Sequence, residues 1–130
     1  MLARSILFIA ICTGTSPVRA QSSFVDRVLK AEEETHVEEI EYNRKEHLAC
    51  VIDRAKARAT ISHASDDAIV AYAFIQCRTF EERFKQLLLS GPNTISGGRL
   101  AVPIGTALKI VDIRKKSLRE EILATIANVR

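Results

Sequence analysis

The sequence predicts an all-α protein, a small helical bundle built on an antiparallel helical hairpin with a further C-terminal helix. Neither glycine nor proline occurs from Gln21 to Ser90, so little in the backbone opposes a helix there. Apolar residues recur at spacings of three and four on both sides of a polar stretch at residues 61–67. The composition, 47% apolar and 27% charged, is typical of one modest globular domain and excludes a disordered tail or a polytopic membrane protein.

The first 20 residues have the pattern of a secretory signal peptide. A basic start at Arg4 precedes the apolar run at residues 6–12, and Val18 and Ala20 occupy the positions that signal peptidase recognises. The apolar run is far shorter than the ~20 residues of a membrane-spanning helix. We therefore expect cleavage after Ala20, which leaves one helical domain at residues 21–130 with 17 basic and 16 acidic side chains. Such a protein is periplasmic or secreted.

The first helix is predicted over about residues 23–61. Its apolar stripe comprises Val37, Ile40, Leu48, Val51, Ala55 and Ala59, with a gap at Arg44. Residues 30–36 hold nothing apolar larger than Ala31, so two shorter helices that meet near residue 35 are the alternative. We favour one long helix.

The second helix is predicted over residues 66–89. Ser65 is a suitable N-cap, and Asp66 and Asp67 place negative charge beside the exposed amides of the first turn. The apolar stripe of this helix comprises Val70, Ala73, Cys77, Phe80, Phe84 and Leu87. Gly91 and Pro92 end it.

The positions of Cys50 and Cys77 predict a disulfide across this hairpin. Residues that face each other in an antiparallel pair lie equally far from the turn, and the two cysteines are symmetric about the predicted turn. At 1.5 Å per residue, each lies roughly 20 Å along its helix. Alanines on both helices permit the close approach that a disulfide requires, and an oxidising compartment favours its formation.

An irregular Gly/Pro-containing loop is predicted over residues 90–106, where a short hairpin of residues 94–96 with 99–102 is possible. A third helix is predicted over residues 107–129, on the heptad spacing of Leu108, Val111, Lys115, Leu118, Ile122, Thr125 and Val129. A strand over residues 107–113 is the alternative, because Ile110, Val111 and Ile113 are β-branched.

One helical face offers a candidate metal site. Glu32, His36 and Glu39 follow one another at spacings of four and three, which brings imidazole and carboxylate groups to the same side of a helix. A solvated acidic face that happens to include a histidine explains the same pattern. A metal-responsive periplasmic protein that uses the His36 region is therefore the alternative function, and we predict no cofactor.

The residues expected of common enzymes are missing from the sequence. His47 and His63 are not preceded by glutamate at the spacing of a di-iron site. The cysteines do not form a C-x-x-C motif, the serines lie in no G-x-S-x-G elbow, and Gly97-Gly98 belongs to no phosphate-binding loop. We therefore expect a protein that is not an enzyme.

Charge is divided along the chain. Residues 21–46 hold 8 acidic and 4 basic side chains, whereas residues 99–130 hold 3 and 7. The candidate faces for partner binding are Glu32, Glu33, Glu38 and Glu39 at one end and Lys109, Arg114, Lys115, Lys116 and Arg119 at the other. The two segments could instead pack side by side and neutralise each other, or be solvated. A charge near zero after cleavage and few aromatics argue against nucleic acid.

Cys50, the polar turn, Ile69, Ala73 and Cys77 resemble the small exported proteobacterial proteins that carry one disulfide across a helical hairpin. The resemblance covers about residues 48–80 and implies this fold and compartment, but it transfers no functional residue. We accordingly expect an exported adaptor, inhibitor, immunity factor or chaperone that binds another exported or envelope protein.

Overall fold

A computed structural model describes residues 17–91 and 101–130. These residues form four helices, α1 (Pro17–Ile61), α2 (Asp66–Gln76), α3 (Arg78–Ser90) and α4 (Ile104–Val129), and contain no strand. The all-α bundle is confirmed. Residues 107–113 belong to helix α4 and not to the alternative strand, α4 begins three residues before the predicted start, and α1 is continuous through residues 30–36 as expected. The possible hairpin near Gly97 and most of the expected signal peptide lie outside the described residues.

The turn between α1 and α2 is fixed by side-chain hydrogen bonds. The hydroxyl of Ser65 accepts a hydrogen bond from the backbone amide of Ala68 at 3.2 Å, so Ser65 caps α2 as expected. At the end of α4, the guanidinium of Arg130 donates to the carbonyls of Ser62 and Ala64 and to the carboxylate of Asp66. α4 therefore ends beside this turn and runs parallel to α1.

The disulfide between Cys50 and Cys77 joins α1 to the middle of the returning arm of the hairpin. The Cα atoms of the two residues lie 6.1 Å apart, and Cys77 is fully buried. The prediction of a single helix over residues 66–89 is wrong, because two helices occupy this segment. The chain leaves α geometry at Cys77 (φ −108°, ψ 16°), and α3 begins at Arg78. The backbone amide of Phe80 donates to the carbonyl of Cys77 there, which is a tighter, i to i+3 turn.

The core follows a stripe on α1 that differs from the predicted one. Val51, Ala55 and Ala59 are buried as expected, but Val37 is 58% exposed. The positions that continue the stripe toward the N-terminus are His36, Asn43 and His47, all of them buried. On α4 the buried residues are Ala107, Val111, Leu118, Ile122 and Ile126, while the predicted Leu108 and Val129 are 45% and 40% exposed. The stripe follows the 3.6-residue helical period rather than a strict heptad.

α1 is the longest element, and its first turns extend beyond α3 and α4. Its 45 residues span about 68 Å, whereas the 26 residues of α4 span about 39 Å. Val28 lies level with Gly91, where α3 ends, because both line one cleft. Phe24, one turn before Val28, is 58% exposed. None of the described helices has an apolar stretch long enough to cross a membrane.

Candidate functional site

Three polar side chains, Asn43, His47 and Arg114, lie between α1, α3 and α4, and we call them the polar core cluster. Asn43 and His47 are 5% and 1% exposed. The amide nitrogen of Asn43 donates to the backbone carbonyl of Phe80 at 3.1 Å, and its oxygen accepts a hydrogen bond from Nη1 of Arg114 at 2.9 Å. Asn43 thus connects α3 to α4 through its two amide atoms.

His47 is a buried imidazole without polar contacts. Its ring stacks on the ring of Phe80, with centroids 5.9 Å apart, and neither ring nitrogen has a hydrogen-bond partner among the described residues. Burial lowers the pKa of His47 to about 4, and the positive charges of Arg114 and Lys115 act in the same direction. His47 is therefore neutral at physiological pH.

Arg114 is a half-buried cation without a carboxylate partner among the described residues. Its guanidinium carbon lies 4.2 Å from the centroid of the Phe84 ring, a cation–π contact. Nε and Nη2 are buried without a hydrogen-bond acceptor in the described part of the chain. Burial lowers the pKa of Arg114 to about 10, with a further contribution from Arg44, so the side chain stays protonated at neutral pH.

The carboxylate of Glu41 attracts the Arg114 charge but forms no direct ion pair with it. Glu41 forms a two-point ion pair with Arg44, at 2.7 and 2.9 Å, and this hydrogen bonding lowers the pKa of the Glu41 carboxyl. The three side chains Glu41, Arg44 and Arg114 therefore carry one net positive charge. Arg114 is therefore held by the hydrogen bond to Asn43 and the cation–π contact with Phe84 rather than by a direct ion pair with a described carboxylate.

An apolar cleft of about 310 Å³ adjoins Arg114 between α1, α3 and α4. The apolar side chains that line it are Ile40, Leu48, Phe84, Ile110, Ile113 and Leu118. Its polar lining consists of Arg44, Arg114, Ser117 and Glu121. The volume and the small number of polar groups match the lower end of the range for small-molecule sites.

The predicted metal candidates meet at a second cleft, of about 450 Å³, beside the end of α3. Glu32, His36 and Glu39 all line it. A carboxylate oxygen of Glu39 lies 3.8 Å from a guanidinium nitrogen of Arg83, and His36 is 9% exposed. The described residues include no group of three or more His, Cys, Asp or Glu side chains arranged to hold a metal ion.

The two predicted charge faces differ in how many of their side chains form ion pairs within the described part of the chain. On α4, Arg114 turns inward. Lys115 lies 3.5 Å from Glu81, and Arg119 binds Asp67 at 2.6 Å. Lys109 and Lys116 are exposed and form no ion pair with a described residue. On α1, Glu33, Glu34 and Glu38 are exposed and form no ion pair with a described residue. In the described part of the chain no direct ion pair therefore joins Glu33, Glu34 or Glu38 to the basic helix α4.

Sequence reasoning missed Asn43, His47 and Arg114 as core residues, although the spacing contains the signal. Asn43 and His47 continue the series from Ile40 to Val51 in steps of three and four, and Arg114 lies between Val111 and Leu118 in the same way. Comparison with protein-family models, curated proteins and solved structures finds no match. The candidate sites therefore depend on the geometry of this chain alone.

Proposed function

We propose that the chain is an exported, non-enzymatic binding protein that acts as an adaptor, inhibitor, immunity factor or chaperone on another exported or envelope protein. Two features support export to the periplasm or the medium. The N-terminal 20 residues have the three-part pattern of a signal peptide, and the Cys50–Cys77 disulfide suits an oxidising compartment.

Export makes a direct prediction about the N-terminus. We expect the protein isolated from the periplasm or medium to begin at Gln21, because Val18 and Ala20 match the specificity of signal peptidase. Intact-mass measurement with and without a reducing agent checks the start of the chain and the disulfide together. A chain that retains Met1 and two free thiols would contradict both parts.

The acidic outer face of α1, formed by Lys30, Glu33, Glu34, Val37 and Glu38, is the surface that best supports partner binding. These residues line one shallow depression. The observation that carries the proposal is Val37, which is 58% exposed among Glu33, Glu34 and Glu38. An exposed apolar side chain among carboxylates that form no ion pair with a described residue is complementary to a basic segment that also presents an apolar residue.

The α1 face should determine the affinity and salt dependence of this interaction. We expect the E33K/E34K/E38K variant to bind its partner at least about tenfold more weakly, because attraction to a basic surface becomes repulsion. The measurement is capture by the tagged protein from the periplasm or medium of its source at low and high salt, followed by titration with the purified partner.

A matched control keeps the total charge change equal. The D53K/E82K/E120K variant reverses three carboxylates that are also exposed but lie elsewhere on the bundle, and it should bind as the wild type does. An equal loss of partner affinity in both variants would show that binding depends on the net charge of the protein alone. That result, or the recovery of no salt-sensitive partner, would count against the α1 face.

A further inference from the structure

The apolar cleft beside Arg114 has a feature that a purely structural gap does not require, namely a half-buried cation with two buried hydrogen-bond donors that have no acceptor among the described residues. Nη1 of Arg114 is occupied by Asn43, whereas Nε and Nη2 are buried without an acceptor among the described residues. Nε and Nη2 lie on the same edge of a guanidinium. This edge is the fork that binds both oxygens of a carboxylate.

The surroundings hold this fork in place. Asn43 binds the opposite side of the guanidinium and is itself fixed by the carbonyl of Phe80, while the ring of Phe84 lies against the guanidinium plane. The nearby carboxylate of Glu41 is occupied by Arg44. The guanidinium of Arg114 is therefore held by Asn43 and Phe84 and has no described carboxylate bound to it, and the ion-paired Arg44 and the carboxylate of Glu121 complete the charged lining of the cleft.

The rest of the lining selects for an apolar ligand body. Six apolar side chains line the cleft, and Ile113 at its edge is 67% exposed. An exposed isoleucine beside a cleft offers additional apolar surface to a bound molecule. The cleft opens to solvent, so a ligand can enter without unfolding any helix.

We propose that the cleft binds a small amphipathic anion, an alkyl carboxylate of medium chain length, with the carboxylate on Nε and Nη2 of Arg114 and the alkyl chain along Ile40, Ile110 and Leu118. The two nitrogens are closed off from solvent in this conformation, so binding includes a shift of a side chain at the edge of the cleft. This site is separate from the acidic face of α1 and does not depend on the proposed partner binding.

Titration with decanoate tests the proposal, with NMR spectroscopy of the methyl groups as the readout. We expect saturable shifts centred on Ile110, Ile113 and Leu118 at submillimolar decanoate, and at least about tenfold weaker binding of decanol, which lacks the charge-assisted hydrogen bonds. Absence of saturable shifts in these residues up to about 1 mM would overturn the proposal.

Variants of Arg114 separate the role of the fork from that of the apolar lining. Arg114→Met should weaken decanoate binding at least about tenfold and leave decanol binding unchanged. Arg114→Lys keeps the charge but loses the planar fork, so its affinity for decanoate should lie between those of the wild type and Arg114→Met. Lys116→Met, an exposed basic residue on the same helix, is the matched control and should bind decanoate as the wild type does.

Two outcomes would refute the assignment even if shifts are seen. Equal affinity of wild type and Arg114→Met for decanoate would show that only the apolar lining contributes. Sedimentation of the protein as a dimer that decanoate neither binds nor dissociates would show that a second copy covers the cleft. If Arg114→Met fails to fold by circular dichroism, Arg114→Lys and the comparison of decanoate with decanol on the wild type still decide the question.

Discussion

Replacement of Cys50 by alanine is expected to lower the free energy of unfolding by about 3.5 kcal/mol. The disulfide closes a loop with a sequence separation of 27, and the chain-entropy relation for a loop of this length gives that value. Urea denaturation, followed by circular dichroism at 222 nm, measures the change as a lower midpoint. The remaining Cys77 keeps its buried position in the core, so the loss is attributable to the cross-link.

The C50A/C77A variant separates the cross-link from core packing. It should be destabilised only slightly more than C50A, because cysteine to alanine at Cys77 removes a single buried sulfur. Wild-type protein reduced with dithiothreitol provides the same comparison without substitution and should unfold at the midpoint of C50A. A reduced protein as stable as the oxidised one would contradict this account of the disulfide.

The hairpin and its disulfide could be predicted from the sequence because the two constraints were independent. The absence of glycine and proline allows helix throughout residues 21–90, and the symmetry of the cysteines about the polar stretch at residues 61–67 supports the turn without reference to apolar periodicity. Ser65 then caps α2 at the expected residue. The break at Cys77 was not predictable in this way, because one residue outside α geometry leaves the apolar stripe on both sides in phase.

The polar core cluster was missed for a different reason. Charged and amide side chains are mostly exposed in proteins, so the predicted stripe has a gap at Arg44, on either side of which Asn43 and His47 are in fact buried. The same assumption placed Arg114 on a basic docking face. The spacing of Arg114 from Val111 and Leu118 is compatible with the inner side of α4, but its contact with the ring of Phe84 depends on how α3 packs against α4, which no local pattern in the sequence specifies.

The charge division was visible in the sequence, but its consequences were not. Lys115 and Arg119 pair with Glu81 of α3 and Asp67 of α2, residues 34 and 52 positions away along the chain. Pairing at such distances depends on which helices are neighbours. The packing of α4 thus shows that Glu33, Glu34 and Glu38 on the acidic face of α1 stay exposed and form no ion pair with a described residue.

Stability should fall as the pH is lowered from about 6.5 to about 4, and His47 should account for up to about 3 kcal/mol of that loss. The pKa of His47 is lowered in the folded protein, so the unfolded chain binds a proton first as acid is added. The stabilising contribution of neutral His47 is therefore complete at pH values above its pKa in the unfolded chain. It is lost as the pH falls toward its lower pKa in the folded protein. Protonation in the fold would place a cation against Phe80 and beside Arg114 and Lys115, the latter held by Glu81.

His47→Phe isolates this effect, because a phenyl ring keeps the stacking on Phe80 and does not titrate. We expect the variant to be at least as stable as the wild type near neutral pH, since the two unsatisfied ring nitrogens disappear, and to lose less stability at about pH 4.5. Urea denaturation at both pH values measures the difference, and His63→Gln, in the exposed turn, is the matched control. Parallel loss in the wild type and His47→Phe would assign the acid sensitivity to carboxylates instead. The expected divergence would identify His47 as the group that couples folding to pH, because among these two variants only His47→Phe removes a buried imidazole.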